Sequence, residues 1–172
     1  MELDQTLEIL ERTPATLRAI LEGLSADWTH THGDPDSWSP SAVVGHLIHG
    51  EETNWLPRAE MILQHGESRP FESFDRTAQF DRLKDQSLDQ LLNTFEQLRR
   101  QNIARLKTMR LTSAQLSLGG THPELGAVTL RQLLATWVVH DLNHIGQIVE
   151  AMSKRYVEAV GPWKAYLPIL SR

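Results

Sequence analysis

"VVHDLNHIGQIVEAM", residues 138–152, sets two histidines four residues apart on a stretch with helical apolar spacing. At about 100° per residue from His140, His144 falls at about 40°, while Leu130, Leu134, Trp137, Ile145, Ile148 and Met152 gather between about 60° and 140°. The segment therefore reads as an amphipathic helix from Thr129 to about Ser153, with both imidazoles on the shoulder of its buried face. Thr136 and Gln147 flank the far side of the stripe, so the imidazoles mark a boundary between packed core and something polar, as in a cleft between helices.

The same three-four spacing recurs outward along the chain. Leu3, Leu7, Leu10, Leu17, Leu21 and Leu24 keep one face apolar, and Thr13-Pro14, a capping hydroxyl followed by a residue with no N–H, predicts a break between a lead helix and a second segment; a single kinked helix is the alternative. Ser39-Pro40 repeats that signal and opens a helix expected to reach Gln64 with a bend at Pro57. Leu88, Leu91, Leu92, Phe95, Leu98, Leu106 and Met109 give a third long helix, followed by a capped turn at "LTSAQL", residues 111–116. Between these lie "HGESRPFESFDRTAQF", residues 65–80, a long connection expected to pack Phe71, Phe74 and Phe80, and the turn-rich "SLGGTHPELGAV", residues 117–128. Trp163, Tyr166 and Leu167 in the tail are expected to dock on the helices. With no convincing strand period, residues 1–172 read as one all-α domain, a four-helix bundle with a docked C-terminal tail.

Composition narrows the function. Apolar residues are 40% and charged residues 23%, with no apolar run near the roughly 20 residues of a membrane span, so a membrane protein is not expected. The start, "MELDQTLEILERTP", is acidic and lacks an apolar segment, which points to a cytoplasmic location. Seventeen Lys and Arg are scattered in a chain of net charge −5, so no nucleic-acid footprint is present. Without cysteine there is no disulfide, thiolate nucleophile or cysteine-ligated zinc, and any metal chemistry must use histidine, carboxylate or an imported thiol.

Eight histidines make one pair at this spacing unremarkable by itself, so position has to carry the argument. On "SAVVGHLIHGEETNWLPR", residues 41–58, Val43, Val44, Leu47, Met61 and Ile62 set the inward arc; His46 lands on its shoulder and His49 points farther away. His46, His140 and His144 can therefore converge on one divalent ion, a set that leaves a coordination position open; alternatively, His140 and His144 are hydrogen-bonded residues at the core edge and His46 merely caps a pocket. His30, His32, His49, His65 and His122 read as surface or loop residues.

Glu51, Asn54 and Arg58 fall inside the inward arc of the second helix and Asp141 inside that of the last, and buried polar groups need partners. One reading has Arg58 neutralising Glu51 or Asp141, with Asn54 completing a network. Another has Asp141 or Glu51 orienting a metal-bound imidazole, or Glu51 acting as the catalytic general base on a metal-bound water.

"WSPSAVVGHLIHGEETNW", "HPELGAVTLRQLLATWVVHDLNHIGQI" and "VGPWKAYLPIL" resemble the DinB-like superfamily of small bacterial four-helix proteins, which is unrelated to the DNA polymerase sharing that label. The resemblance spans nearly the whole chain. It implies an antiparallel bundle, a divalent metal (nickel or zinc, with manganese or iron as further candidates) at His46, His140 and His144, and a homodimer. It also implies a choice of activities, from S-transfer with a low-molecular-weight thiol to hydrolysis of a small molecule. Competing with an enzyme are a binding module whose cleft is lined by Trp55, Trp137 and Trp163, and a stress-associated structural dimer tied by its metal.

Overall fold

Hydroxyl caps set the starts of the helices that carry the fold. Residues 3–30, 32, 37–78, 80, 84 and 86–171 are described by the computed structural model. Ser39 accepts from the backbone of Ala42 ahead of Pro40, and Ser87, Thr112 and Thr129 each form a reciprocal capping box with Gln90, Gln115 and Gln132. The helices are α1 (Leu3–Leu21), α2 (Ala26–Thr29), α3 (Pro40–Thr53), α4 (Trp55–His65), α5 (Leu88–Thr108), α6 (Ser113–Leu116) and α7 (Leu130–Lys154).

Four rods build the bundle: α1, the α3–α4 pair, α5 and α7. Packing runs α1 to α5, α5 to α3, α3 to α7 and α7 back to α1. Residue pairs give the directions. Arg18 reaches Glu96 while Lys107 reaches Glu11, so α1 and α5 are antiparallel. His46 meets His140 and His144 while Glu51 meets Trp137, so α3 and α7 are antiparallel as well. Glu51 pairs with Arg99 and Glu60 with Arg105, so α3–α4 and α5 run the same way, and residues 66–87 must carry the chain back along the bundle.

Two expected breaks differ in the structure. The helix α1 passes through Thr13-Pro14 without ending, as in the single-helix alternative. Proline removes the donor for the carbonyl of Leu10, and Arg99 of α5 donates to that oxygen at 2.9 Å instead. The second helix breaks at Asn54 (φ −108°, ψ −66°) rather than bending at Pro57, which lies in the first turn of α4, where a missing N–H costs nothing.

A hairpin was not foreseen. Strands β1 (Gly119–His122) and β2 (Gly126–Thr129) pair antiparallel, Gly119 opposite Thr129 and His122 opposite Gly126. They are too short for alternation to show in the sequence, and Gly126 supplies the positive φ (+73°) of the turn. The hairpin anchors the long connection: Phe71 donates its N–H to the Thr121 carbonyl at 2.9 Å, and Thr121 Oγ1 donates to the Glu67 carbonyl. Gly120 is needed here, because a Cβ would stand 2.7 Å from Ile62 Cγ1 and 3.0 Å from Phe71 Cζ. Gly120→Ala is expected to destabilise the protein by about 1–3 kcal/mol through overpacking; a urea midpoint equal to the parent's would show that the contact yields.

The core has two apolar halves, one around Leu10, Trp55, Ile103, Leu134 and Trp137, the other around Leu17, Ile48, Phe95 and Ile148. Between them each rod contributes a polar residue: Thr13, Glu51, Arg99 and Asp141. The tail departs from expectation. Trp163, Tyr166 and Leu167 are all exposed (71%, 79% and 37%), whereas Leu170 is the residue that docks. Among the described residues, no helix is long and apolar enough to cross a membrane.

Candidate metal centre

Because α3 and α7 are antiparallel and in contact, a histidine early in one meets histidines in the second half of the other. His140 Nε2 lies 3.1 Å from His46 Nε2 and 3.1 Å from His144 Nε2, and the three donor atoms all fall within 4.8 Å of one another. The structure thus gathers all three of the histidines singled out in the sequence.

Aromatic rings wall the cluster. Trp38 packs against His46 (4.8 Å between centroids) and lies parallel to His144, Phe74 stands edge-on to His46, and Trp55 stands edge-on to His140. Burial, reinforced by the neighbouring imidazoles, pushes His46 down to about 3 and His140 down to about 2, and burial lowers His144 as well. At neutral pH all three rings are therefore uncharged, the form that offers a lone pair to a cation.

His144 Nδ1 lies 2.8 Å from Gln147 Oε1. An amide oxygen only accepts, so the His144 proton sits on Nδ1 and its Nε2 presents a bare lone pair to the cluster. Among the described residues the buried Nδ1 atoms of His46 and His140 have no hydrogen-bond partner, and their rings are held by the aromatic walls instead. Three neutral imidazole nitrogens this close can each turn a lone pair to the same point, and a cation there satisfies them together. The donor set therefore fits a divalent ion.

The buried carboxylates behave differently from either reading of the sequence. Glu51 Oε1 accepts from Arg99 Nε (3.1 Å), Arg99 Nη2 (2.8 Å) and Trp137 Nε1 (3.0 Å), and its Oε2 accepts from Asn102 (2.9 Å). Asp141 accepts from Arg99 through both oxygens (2.6 and 3.0 Å) and from Thr13 Oγ1 (2.7 Å). The neutralising cation is Arg99, not Arg58. Both Glu51 oxygens are engaged by Arg99, Trp137 and Asn102, and Glu51 does not line the cavity beside the imidazoles, so the structure does not bring it to them as a general base; the ring N–H of His144 goes to Gln147 rather than to Asp141. Burial opposes the charge on Arg99, but Glu51 and Asp141 hold its pKa above the ordinary guanidinium value. Two carboxylates against one guanidinium leave an excess formal negative charge beside the rings, which favours a cation there.

Asn54 ends α3, and its Oδ1 is buried without a partner. Arg58 is buried over the Phe71 ring, 5.0 Å from its centroid, and donates to the Glu72 carbonyl at 3.0 Å. His49, expected at the surface, is buried against Phe74, which follows α4 in the chain and packs over that face of α3. His122 accepts from the backbone N–H groups of Glu124 and Leu125 and shapes the hairpin turn. Trp55 and Trp137 stack on each other in the core, and Trp163 is exposed elsewhere, so the three do not form one cleft.

Beside His46, His140 and His144 opens a cavity of about 420 Å³, also bordered by Trp38, Arg58 and Glu124. The carboxylate facing it is therefore Glu124, from the hairpin, and neither Glu51 nor Asp141 lines it.

A bundle with a long return connection and an imidazole cluster between antiparallel helices defines a class of histidine-centred four-helix proteins. The sequence profile of the DinB superfamily matches residues 9–148, and the chain belongs to that superfamily. YfiT of Bacillus subtilis (strain 168) is 28% identical over 156 residues, 88% of this chain and 84% of YfiT. The solved YfiT structure, described as a probable metal-dependent hydrolase with an unusual four-helix bundle topology, superposes with a TM-score of 0.75 at 27% identity, covering 88% of this chain and 86% of that one.

Proposed function

We propose that the protein is a metal-dependent hydrolase of a small molecule, its divalent ion held by His46, His140 and His144. The observation that carries this reading is the convergence of three neutral imidazole nitrogens within 4.8 Å at the wall of an open cavity. The description of YfiT as a metal-dependent hydrolase supports it. Zinc and nickel suit an imidazole donor set best, with manganese and iron as weaker fits. When bound, such an ion with an open position acidifies water toward neutrality and polarises an electrophile.

The chain's own residues supply the rest. Trp38 and Phe74 cover one side of the rings, and Gln147 holds the His144 proton on the outer nitrogen. Glu124 faces the cavity and can take a proton from a reacting group there. Chelator-stripped protein, reloaded in turn with zinc, nickel, manganese and iron, should hydrolyse activated esters or amides only when metal is present. Turnover that appears only with an added low-molecular-weight thiol would move the assignment to S-transfer, and turnover unaffected by stripping would overturn the metal-dependent reading.

A further inference from the structure

Arg58 projects into the same cavity as the imidazoles, from α4, with its side chain 8% exposed. A guanidinium has five N–H donors; here the Glu72 carbonyl takes one, at 3.0 Å, and the Phe71 ring takes one face. Among the described residues no carboxylate forms an ion pair with it. Arg99, more deeply buried, has two. Burying an uncompensated cation is costly, and proteins retain one where a ligand supplies the missing charge. Burial lowers the Arg58 pKa, with Glu124 acting in the opposite direction from the hairpin. Arg76 also borders the cavity from the exposed side, a second cation on the approach.

We infer that Arg58 binds an anionic oxygen group of the substrate, a carboxylate or a phosphate, so that the molecule lies across the cavity with its anionic end on Arg58 and its reacting bond toward the histidine cluster. This inference rests on the hydrolase reading for the identity of the reacting end, while anion binding by Arg58 stands without it. Asn54, whose buried Oδ1 has no donor and which borders the same cavity, offers an acceptor for an N–H or O–H near that anionic group. Arg58 is thus a specificity-determining residue, and the Phe71 and Glu72 contacts hold the guanidinium in place before the ligand arrives.

The test uses benzoate, phenyl phosphate and neutral benzamide, titrated by ligand-observed NMR into chelator-stripped and zinc-loaded protein. Stripped parent protein is expected to bind at least one of the anions about tenfold or more tightly than benzamide, as a charge-assisted hydrogen bond implies. Arg58→Gln should abolish that preference in the stripped protein while still taking up stoichiometric zinc on loading, and Arg58→Lys should retain part of it. The tighter of the two anions identifies the group. A preference that survives in stripped Arg58→Gln, that appears only after zinc loading, or that is absent from the parent overturns the inference. If Arg58→Gln fails to fold, an affinity for both anions unchanged in Arg58→Lys does the same. Failure of the metal reading shows separately, as missing zinc in the parent.

Discussion

Arg99→Met is expected to lower the unfolding free energy by about 3–5 kcal/mol, the cost of removing one partner from a buried ion pair. Arg99 is 1% exposed and makes hydrogen bonds to Leu10, Glu51 and Asp141, that is, to α1, α3 and α7 from α5. Methionine can fill much of the space beside Phe95 and Trp137, over whose rings the guanidinium now lies. What it cannot do is neutralise two carboxylates that are 0% exposed at the side chain. The loss is comparable to the whole stability of many domains, so the variant should unfold at a much lower urea concentration. Adding Glu51→Gln and Asp141→Asn removes the stranded charges and should recover at least half of the loss, since one amide oxygen can still accept from either Trp137 or Asn102 and the other from Thr13. A single variant within about 1 kcal/mol of the parent would mean that the layer between the two core halves is hydrated and the ion pairs contribute little.

Arg99 also marks where sequence reasoning stops. The helical spacing around it was legible, because apolar residues three and four apart leave little choice of buried face. The period itself puts Arg99 on the buried face, four residues from both Phe95 and Ile103; what no local pattern shows is its partners, Glu51 and Asp141, 48 and 42 residues away, which themselves looked in need of a cation. Arg58 was the nearer candidate on the same helix face, but Asn54 breaks the helix between Glu51 and Arg58 and re-aims α4, which sends that guanidinium toward the cavity. Thr13-Pro14 misleads for a related reason: local chemistry calls for a helix start, and a donor from another helix removes the need for one. The hairpin escapes detection because its strands are four residues each and owe their place to Gly120 packing beneath Ile62 and Phe71. Gln147 was the most accessible omission. It stands three residues after His144, the spacing that brings side chains together on a helix, and an amide there can read the outer nitrogen of a ring as well as a carboxylate can.

That distinction between donor and orienting residue has a graded consequence for metal content. His46→Ala, His140→Ala and His144→Ala should each reduce affinity for zinc or nickel by more than about a hundredfold, because two imidazoles cannot replace the chelation of three. Gln147→Leu should weaken it less, by about ten- to a hundredfold, since the ring keeps its lone pair and loses only the hydrogen bond that fixes its proton and orientation. His49→Ala is the control for mere burial of an imidazole nearby: His49 is buried on the same helix as His46 with an unpartnered Nδ1, yet it lies outside the cluster and should leave affinity unchanged. Competition against a chromogenic chelator measures the order, and the thermal shift on adding metal checks it independently, because an ion that binds only the folded chain raises the melting temperature in proportion to its affinity on a logarithmic scale. The parent and His49→Ala should shift alike, Gln147→Leu less, and the three cluster variants hardly at all. If His49→Ala loses the ion while His140→Ala keeps it, the binding site lies one turn along α3, and the close approach of the three Nε2 atoms is core packing rather than a metal centre.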